Sequence, residues 1–178
     1  AMEERQQGKG LTGVPTGFRD IDKLTSGLQK GNLIIIGARP SVGKTSFGLN
    51  IATHIATVSN HPALIFSLEM SRLELTQRIL CAEARVDSQK IVNAQMNDDD
   101  WVRINKGIGH LDEAPIYIDD NPGVSIMEIR AKARRLKSRI GNLGVIVVDY
   151  LQLMTGRSAA DSRQVEISKI RRGLKLLA

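Results

Sequence analysis

Short uninterrupted apolar runs alternate along the chain with longer stretches in which apolar residues recur three and four apart. The runs are Leu33-Ile34-Ile35-Ile36, Ala63-Leu64-Ile65-Phe66, Ile116-Tyr117-Ile118 and Val145-Ile146-Val147-Val148. Continuous apolar runs of this length predict strands buried on both faces, the mark of a parallel sheet. The last run, all valine and isoleucine, is the most strand-like segment of the chain.

The intervening stretches predict helices. Phe18, Ile21, Leu24 and Leu28 give a short one that should end at Gly27. Residues 45–58 give the next, with Ile51, Ile55 and Val58 on one side. Ser71-Arg72-Leu73-Glu74 and Ser125-Ile126-Met127-Glu128 match the capping box, in which serine and glutamate satisfy each other's orphan backbone donors. The first should open a helix running to about Ala84. The second opens one with Ile126, Ile129, Ala133, Leu136 and Ile140 as its stripe. Asn97-Asp98-Asp99-Asp100 starts another, with Trp101, Ile104, Ile108 and Leu111 as its apolar face, and a last helix carries Val165, Ile170, Leu174 and Leu177. A loop of small and polar residues is expected over 155–163. Alternating strands and helices predict an α/β domain, a mostly parallel sheet with helices on both faces.

Composition narrows the function class. Hydrophobic residues at 42% and charged residues at 25% exclude disorder over the whole length. No apolar run reaches the ~20 residues of a membrane span, and no signal peptide is expected at the polar start. The single cysteine, Cys81, forms no internal disulfide and fits a reducing compartment. Charge is uneven: residues 1–129 carry a net −3 and residues 130–178 a net +9. The basic C-terminal part suggests a polyanionic partner, nucleic acid ahead of membrane, with a solvated charged face as the alternative. Aromatic residues at 3% argue against a binder that stacks bases on aromatic rings.

The strongest chemical signal is Ala38-Arg39-Pro40-Ser41-Val42-Gly43-Lys44-Thr45, between the first predicted strand and the first long helix. That is where a phosphate-binding P-loop belongs. Backbone N–H groups of such a loop form an anion nest, and the helix N-terminus adds donors and partial positive charge. Gly43 permits close approach, Lys44 places a cation on the β- and γ-phosphates, and the Thr45 hydroxyl is a hard ligand for Mg²⁺. The usual opening glycine is replaced by Ala38, with Gly37 one residue earlier. Asp149 follows the fourth run and faces the ligand crevice of an open α/β sheet, suited to holding Mg²⁺ through water. Alone, it could be an ordinary strand-end aspartate. Glu69, three residues beyond the second run, can orient the water that attacks the γ-phosphate, or can simply be a charge favoured near the next helix N-terminus. Asp119 and Asp120 could line the same edge. Asp98, Asp99 and Asp100 read as a helix start, the three histidines lack metal spacing, and Cys81 reads as core. Arg130, Lys132, Arg134, Arg135, Lys137 and Arg139 read as the outward faces of one helix, either solvated or touching DNA or a subunit.

These residues resemble the DnaB-type replicative DNA helicases, within the RecA-like ATPases. The match lies in Thr12-Gly13-Val14-Pro15-Thr16-Gly17-Phe18, in residues 38–45, in Phe66-Ser67-Leu68-Glu69-Met70-Ser71, in Ile129-Arg130-Ala131-Lys132-Ala133-Arg134-Arg135-Leu136 and in Val148-Asp149-Tyr150-Leu151-Gln152-Leu153-Met154. It covers nearly all the chain from about Gly10. Alanine commonly opens the P-loop in this family, so Ala38 supports the resemblance. The resemblance implies a RecA-like P-loop NTPase and a hexameric ring that hydrolyses ATP between subunits and moves 5′ to 3′ on single-stranded DNA, with primase and a helicase loader as partners. It assigns Lys44 and Thr45 to phosphate and Mg²⁺, Asp149 to the Walker B position and Glu69 to the catalytic base. A cytoplasmic, nucleoid-associated protein is expected. Residues 1–10 should be a linker remnant and 11–178 a partial ATPase domain. Its family continuation would hold another core strand, a glutamine sensor, the main DNA loops and the arginine finger. The isolated chain should therefore bind single-stranded DNA only weakly and with steep salt dependence. Alternatives are a RecA-like recombinase or other RecA-fold ATPase, and a nucleotide-binding assembly module without turnover.

Overall fold

The computed structural model describes residues 11–39, 41–149, 168 and 170–177. Three strands, β1 (Ala63–Ser67), β2 (Ile116–Asp119) and β3 (Val145–Asp149), form a parallel sheet in the order β2-β1-β3. Six helices are α1 (Arg19–Thr25), α2 (Lys44–Thr57), α3 (Arg72–Ala84), α4 (Ser88–Val92), α5 (Asp98–Asp112) and α6 (Ile126–Ile140). Residues 168 and 170–175 are also helical.

β1 organises the core because it has a neighbour on each edge and a helical layer on each face. Its side chains alternate between the two layers. Leu64 and Phe66, with Leu68 just beyond, pack among Ile129, Ala133 and Leu136 of α6 and Ile170 and Leu174 of the C-terminal helical residues. Ala63 and Ile65 pack against Leu49, Ala52 and Ala56 of α2 and Leu75 and Ile79 of α3. The apolar run is thus buried at every position, as expected of a central parallel strand. β2 and β3 are only half-buried over most of their lengths. A satellite core of Ala84, Val86 and Ile104 ties α5 to the end of α3.

Both serine capping boxes form, at Ser71/Glu74 and Ser125/Glu128, and a third forms at Asn97/Asp100. The short helix α1 ends at Ser26 in the left-handed region, followed by Gly27 at φ 81°.

Three expectations are corrected. Residues 33–36 form no strand, and Ile34, Ile35 and Ile36 are 52%, 52% and 39% exposed. A strand is a pairwise object. This run has the right side chains but no ladder with any described strand, and only Leu33 reaches the core. On α5, Ile104 is buried and Leu111 packs against the core that holds Ala63 and Ile65, but Trp101 and Ile108 are about half exposed, because the helix packs mainly on α3 and a satellite core. Val58 lies just past the end of α2 and is exposed. Val165 and the 155–163 loop lie outside the described residues.

Candidate nucleotide site at the sheet edge

The N-terminus of α2 meets the C-terminal end of β3. The helix lies close on the strand: a Cβ added at Gly48 would stand 3.7 Å from Val147 Cγ1. Phe47 on α2 also stacks obliquely on Phe18, with ring centroids 4.9 Å apart, which ties the N-terminal segment to the same helix. This packing brings residues 104 apart in sequence into contact, and the Thr45 hydroxyl donates to Asp149 Oδ2 at 2.7 Å. Asp149 is buried and Thr45 half-buried. Two hard oxygen groups therefore share one spot, the donor chemistry a Mg²⁺ ion takes.

The loop leading into α2 is shaped for an anion. Gly43 caps the helix at φ 94°, a conformation that disfavours any L side chain, and an added Cβ would meet nothing within 4 Å. Ser41 also has positive φ, at 63°. Where α3, α5 and α6 each satisfy their first donors with a capping box, α2 has no side-chain cap and no acid in its first turn. Its first backbone N–H groups have no side-chain acceptor at the N-cap, which leaves them to an anion. Ala38, Arg39, Ser41, Val42 and Gly43 are exposed, Lys44 opens the helix half-buried, and Pro40 lies outside the described residues. The residues present fit a nucleoside phosphate with its cation.

Glu69 reaches the same edge from the next strand. Ser67 is in register with Asp149, and the Leu68 N–H donates to the Asp149 carbonyl at 2.7 Å. Glu69 follows directly and is exposed, with no hydrogen bond or ion pair among the described residues. The rival carboxylates are engaged. Asp119 pairs with Lys132, and Asp120 accepts from the Arg72 backbone N–H at 2.8 Å, a bond that holds its carboxyl below the usual range. Asp100 sits between Lys90 and Arg103 at the start of α5, and Lys90 is the main cause of its lowered pKa. His110 pairs with Glu83, His54 lies against Gly17, and Cys81 is buried with its thiol pushed up by burial. Among the described residues no group of three or more His, Cys, Asp or Glu could hold a metal. Arg134, Arg135, Lys137 and Arg139 are exposed on α6, Arg130 and Lys132 half-buried.

The sequence pattern does not show the tasks of two residues around the site. Ser67 reads as part of the run into Glu69, although a polar residue closing a buried strand needs a partner and is a usable signal. Asp120 gives no signal for its actual task, holding the start of α3.

A family model described as the DnaB-like helicase C terminal domain matches residues 13–178. The chain belongs to the DnaB-like helicase family. It is similar to the replicative DNA helicase DnaB of Geobacillus stearothermophilus, with 50% identity over 94% of this chain and 37% of the relative. It is also similar to the replicative DNA helicase DnaC of Bacillus subtilis (strain 168), 47% identical over 99% of this chain and 39% of that protein. Among solved structures, the ATPase domain of G40P superposes with TM-score 0.86 at 35% identity, covering 99% of this chain and 63% of that one. A DnaB-like replicative helicase described with its interactions with primase superposes with TM-score 0.87 at 34% identity, over 99% of this chain and 42% of the other. The DnaB-like chain thus has a RecA-like α/β fold and spans less than two-fifths of these two curated relatives. None of its described helices is long and apolar enough to cross a membrane.

Proposed function

We propose that this chain is the nucleotide-hydrolysing part of a replicative DNA helicase, with ATP and Mg²⁺ at the α2–β3 junction. The observation that carries the reading is the Thr45–Asp149 hydrogen bond at the mouth of a helix without a side-chain cap. Residues 38–45 cradle the phosphates through backbone donors, and Lys44 opposes the charge that develops on the transferred phosphoryl group. Thr45 and, through water, Asp149 would hold the cation, which would supply charge screening for the phosphate oxygens. Glu69, the unengaged carboxylate of the edge, orients and polarises the attacking water. Residues 11–178 are read as part of the ATPase domain and 1–10 as a linker.

The whole protein is proposed to act as a hexamer on single-stranded DNA, 5′ to 3′, with primase and a loader as partners, in the cytoplasm at the nucleoid. Family membership supports this, as does the likeness to a solved replicative helicase that interacts with primase. The exposed α6 cations suit a polyanion contact away from the nucleotide edge.

The test is nucleotide binding beside phosphate release in the intact protein. Lys44→Ala should lower ATP affinity or turnover at least about tenfold, ~1.4 kcal/mol. Glu69→Gln should leave binding intact and lower turnover on the order of 10²-fold. Near-normal hydrolysis by Lys44→Ala would sink the phosphate assignment, and binding without turnover by the unaltered intact protein would favour an assembly module.

A further inference from the structure

The loop that presents Glu69 is fastened at both ends by side-chain hydrogen bonds, from Ser67 at its start and from Asp120 at its end. Ser67, the last residue of β1, is 1% exposed. A hydroxyl buried there is costly unless bonded. Its Oγ accepts from the Met70 N–H at 3.0 Å and donates to the Met70 carbonyl at 2.7 Å, closing the chain over Leu68 and Glu69. Beyond the loop, the Arg72 N–H donates to Asp120 Oδ2 at 2.8 Å, and the Arg72 guanidinium reaches Oδ1 at 3.5 Å. Asp120 directly follows β2, so the loop is tied to the strand on one side of β1 by Asp120. It is tied to the strand on the other side by the Leu68–Asp149 backbone bond.

Packing fixes the chain on both sides of Glu69. Leu68 is buried in the core beneath α6, and Met70 packs against the opposite core beneath α2 and α3. The residue between two side chains held on opposite faces of the sheet is left at the sheet's edge. A carboxylate that must hold a water in one position gains rate from such pre-fixed geometry, since a displacement of about 1 Å can cost on the order of 10²-fold.

We infer that Ser67 and Asp120 are positioning residues for hydrolysis, acting through Glu69 by fixing the loop that carries it. The inference rests on the reading of Glu69 as the residue that orients water. The test measures steady-state ATP hydrolysis and ATP affinity in the intact protein, with Ser67→Ala and Asp120→Ala each made alone and in a Glu69→Gln background. Each single variant should lower kcat on the order of tenfold while ATP affinity stays within about twofold. Ser67→Thr, which keeps the hydroxyl, and Asp120→Asn, which keeps an acceptor, should recover most of the loss. In the Glu69→Gln background neither should lower kcat further, because the group they position has gone. Unchanged kcat, an equal loss in both backgrounds, or a parallel loss of ATP affinity would overturn the inference. If Ser67→Ala does not fold, Asp120→Ala, at a partly exposed carboxylate, carries the same comparison. Wild-type turnover by Glu69→Gln alone would overturn the base assignment and the positioning role with it, and that result is read independently of Ser67 and Asp120.

Discussion

The first four residues of β1 and the 33–36 run are both unbroken apolar runs of four, and they meet opposite fates. In β1, Ala63, Leu64, Ile65 and Phe66 are all at most 5% exposed, whereas three isoleucines of the other run are between 39% and 52% exposed. Apolar character does not separate them. β1 has a parallel neighbour on each edge and helices on both faces, while residues 33–36 have no ladder with a described strand and touch the core through Leu33 alone. Propensity proposes a strand, and neighbours decide whether its apolar surface leaves water.

The largest effect that could break this comparison is at the buried end of it. Phe66→Ala removes a fully buried ring at the centre of the sheet and should cost about 3–5 kcal/mol. Ile35→Ala, at a half-exposed position, should stay within about 1 kcal/mol. Urea unfolding of both variants checks this. Equal losses would mean that the 33–36 run is covered in solution, and the contrast would collapse.

Legibility follows the same division between local and long-range causes. The serine capping boxes are readable because donor and acceptor lie three residues apart in the chain. The P-loop is readable because Gly43 and the start of α2 encode its backbone locally, and Asp149 because it directly ends an apolar run. Their contact across 104 residues follows only once a shared sheet edge is assumed. The fate of residues 33–36 depends on partners that no local pattern reveals. The helix α4 escapes sequence pattern because it has five residues and buries none of them, so it carries no apolar period, only an Asp87 cap. Trp101 and Ile108 fit a helical stripe, but within it Ile104 and Leu111 find cores while these two stay about half exposed. Asp120 looks like a rival to Glu69, and only its bond to the Arg72 N–H separates the two roles.

A smaller effect sharpens the contrast at two locally encoded caps. Ser125→Ala removes the acceptor of the Glu128 N–H and should cost about 1 kcal/mol. Ser71→Ala removes the same bond at α3, but there the Arg72 N–H is separately held by Asp120. It should therefore cost less than Ser125→Ala. Thermal unfolding of the two variants ranks them, and the reverse order would show that Asp120 does not support the start of α3.

The smallest effect at neutral pH is that of Glu128→Gln, and acid makes it visible. The Ser125 backbone N–H, then its hydroxyl, holds the Glu128 carboxyl below its ordinary range, and Ser71 does the same for Glu74. A carboxyl whose pKa is lower in the folded state contributes stability that is fully present above its unfolded pKa, about 4.3, and is lost as pH falls through the folded value. The protein should therefore lose melting temperature as pH drops below that range. Glutamine keeps an oxygen for the Ser125 N–H but does not titrate, so Glu128→Gln should leave the neutral melting temperature nearly unchanged and make the acid limb shallower. Glu74→Gln should flatten it in the same sense, while Ile35→Ala, in a run without a titrating group, should leave its slope unchanged. Melting temperature measured from pH 3 to pH 7 gives the slopes, and an acid limb as steep in Glu128→Gln as in the unaltered protein would remove the α6 capping box from the acid-sensitive contacts.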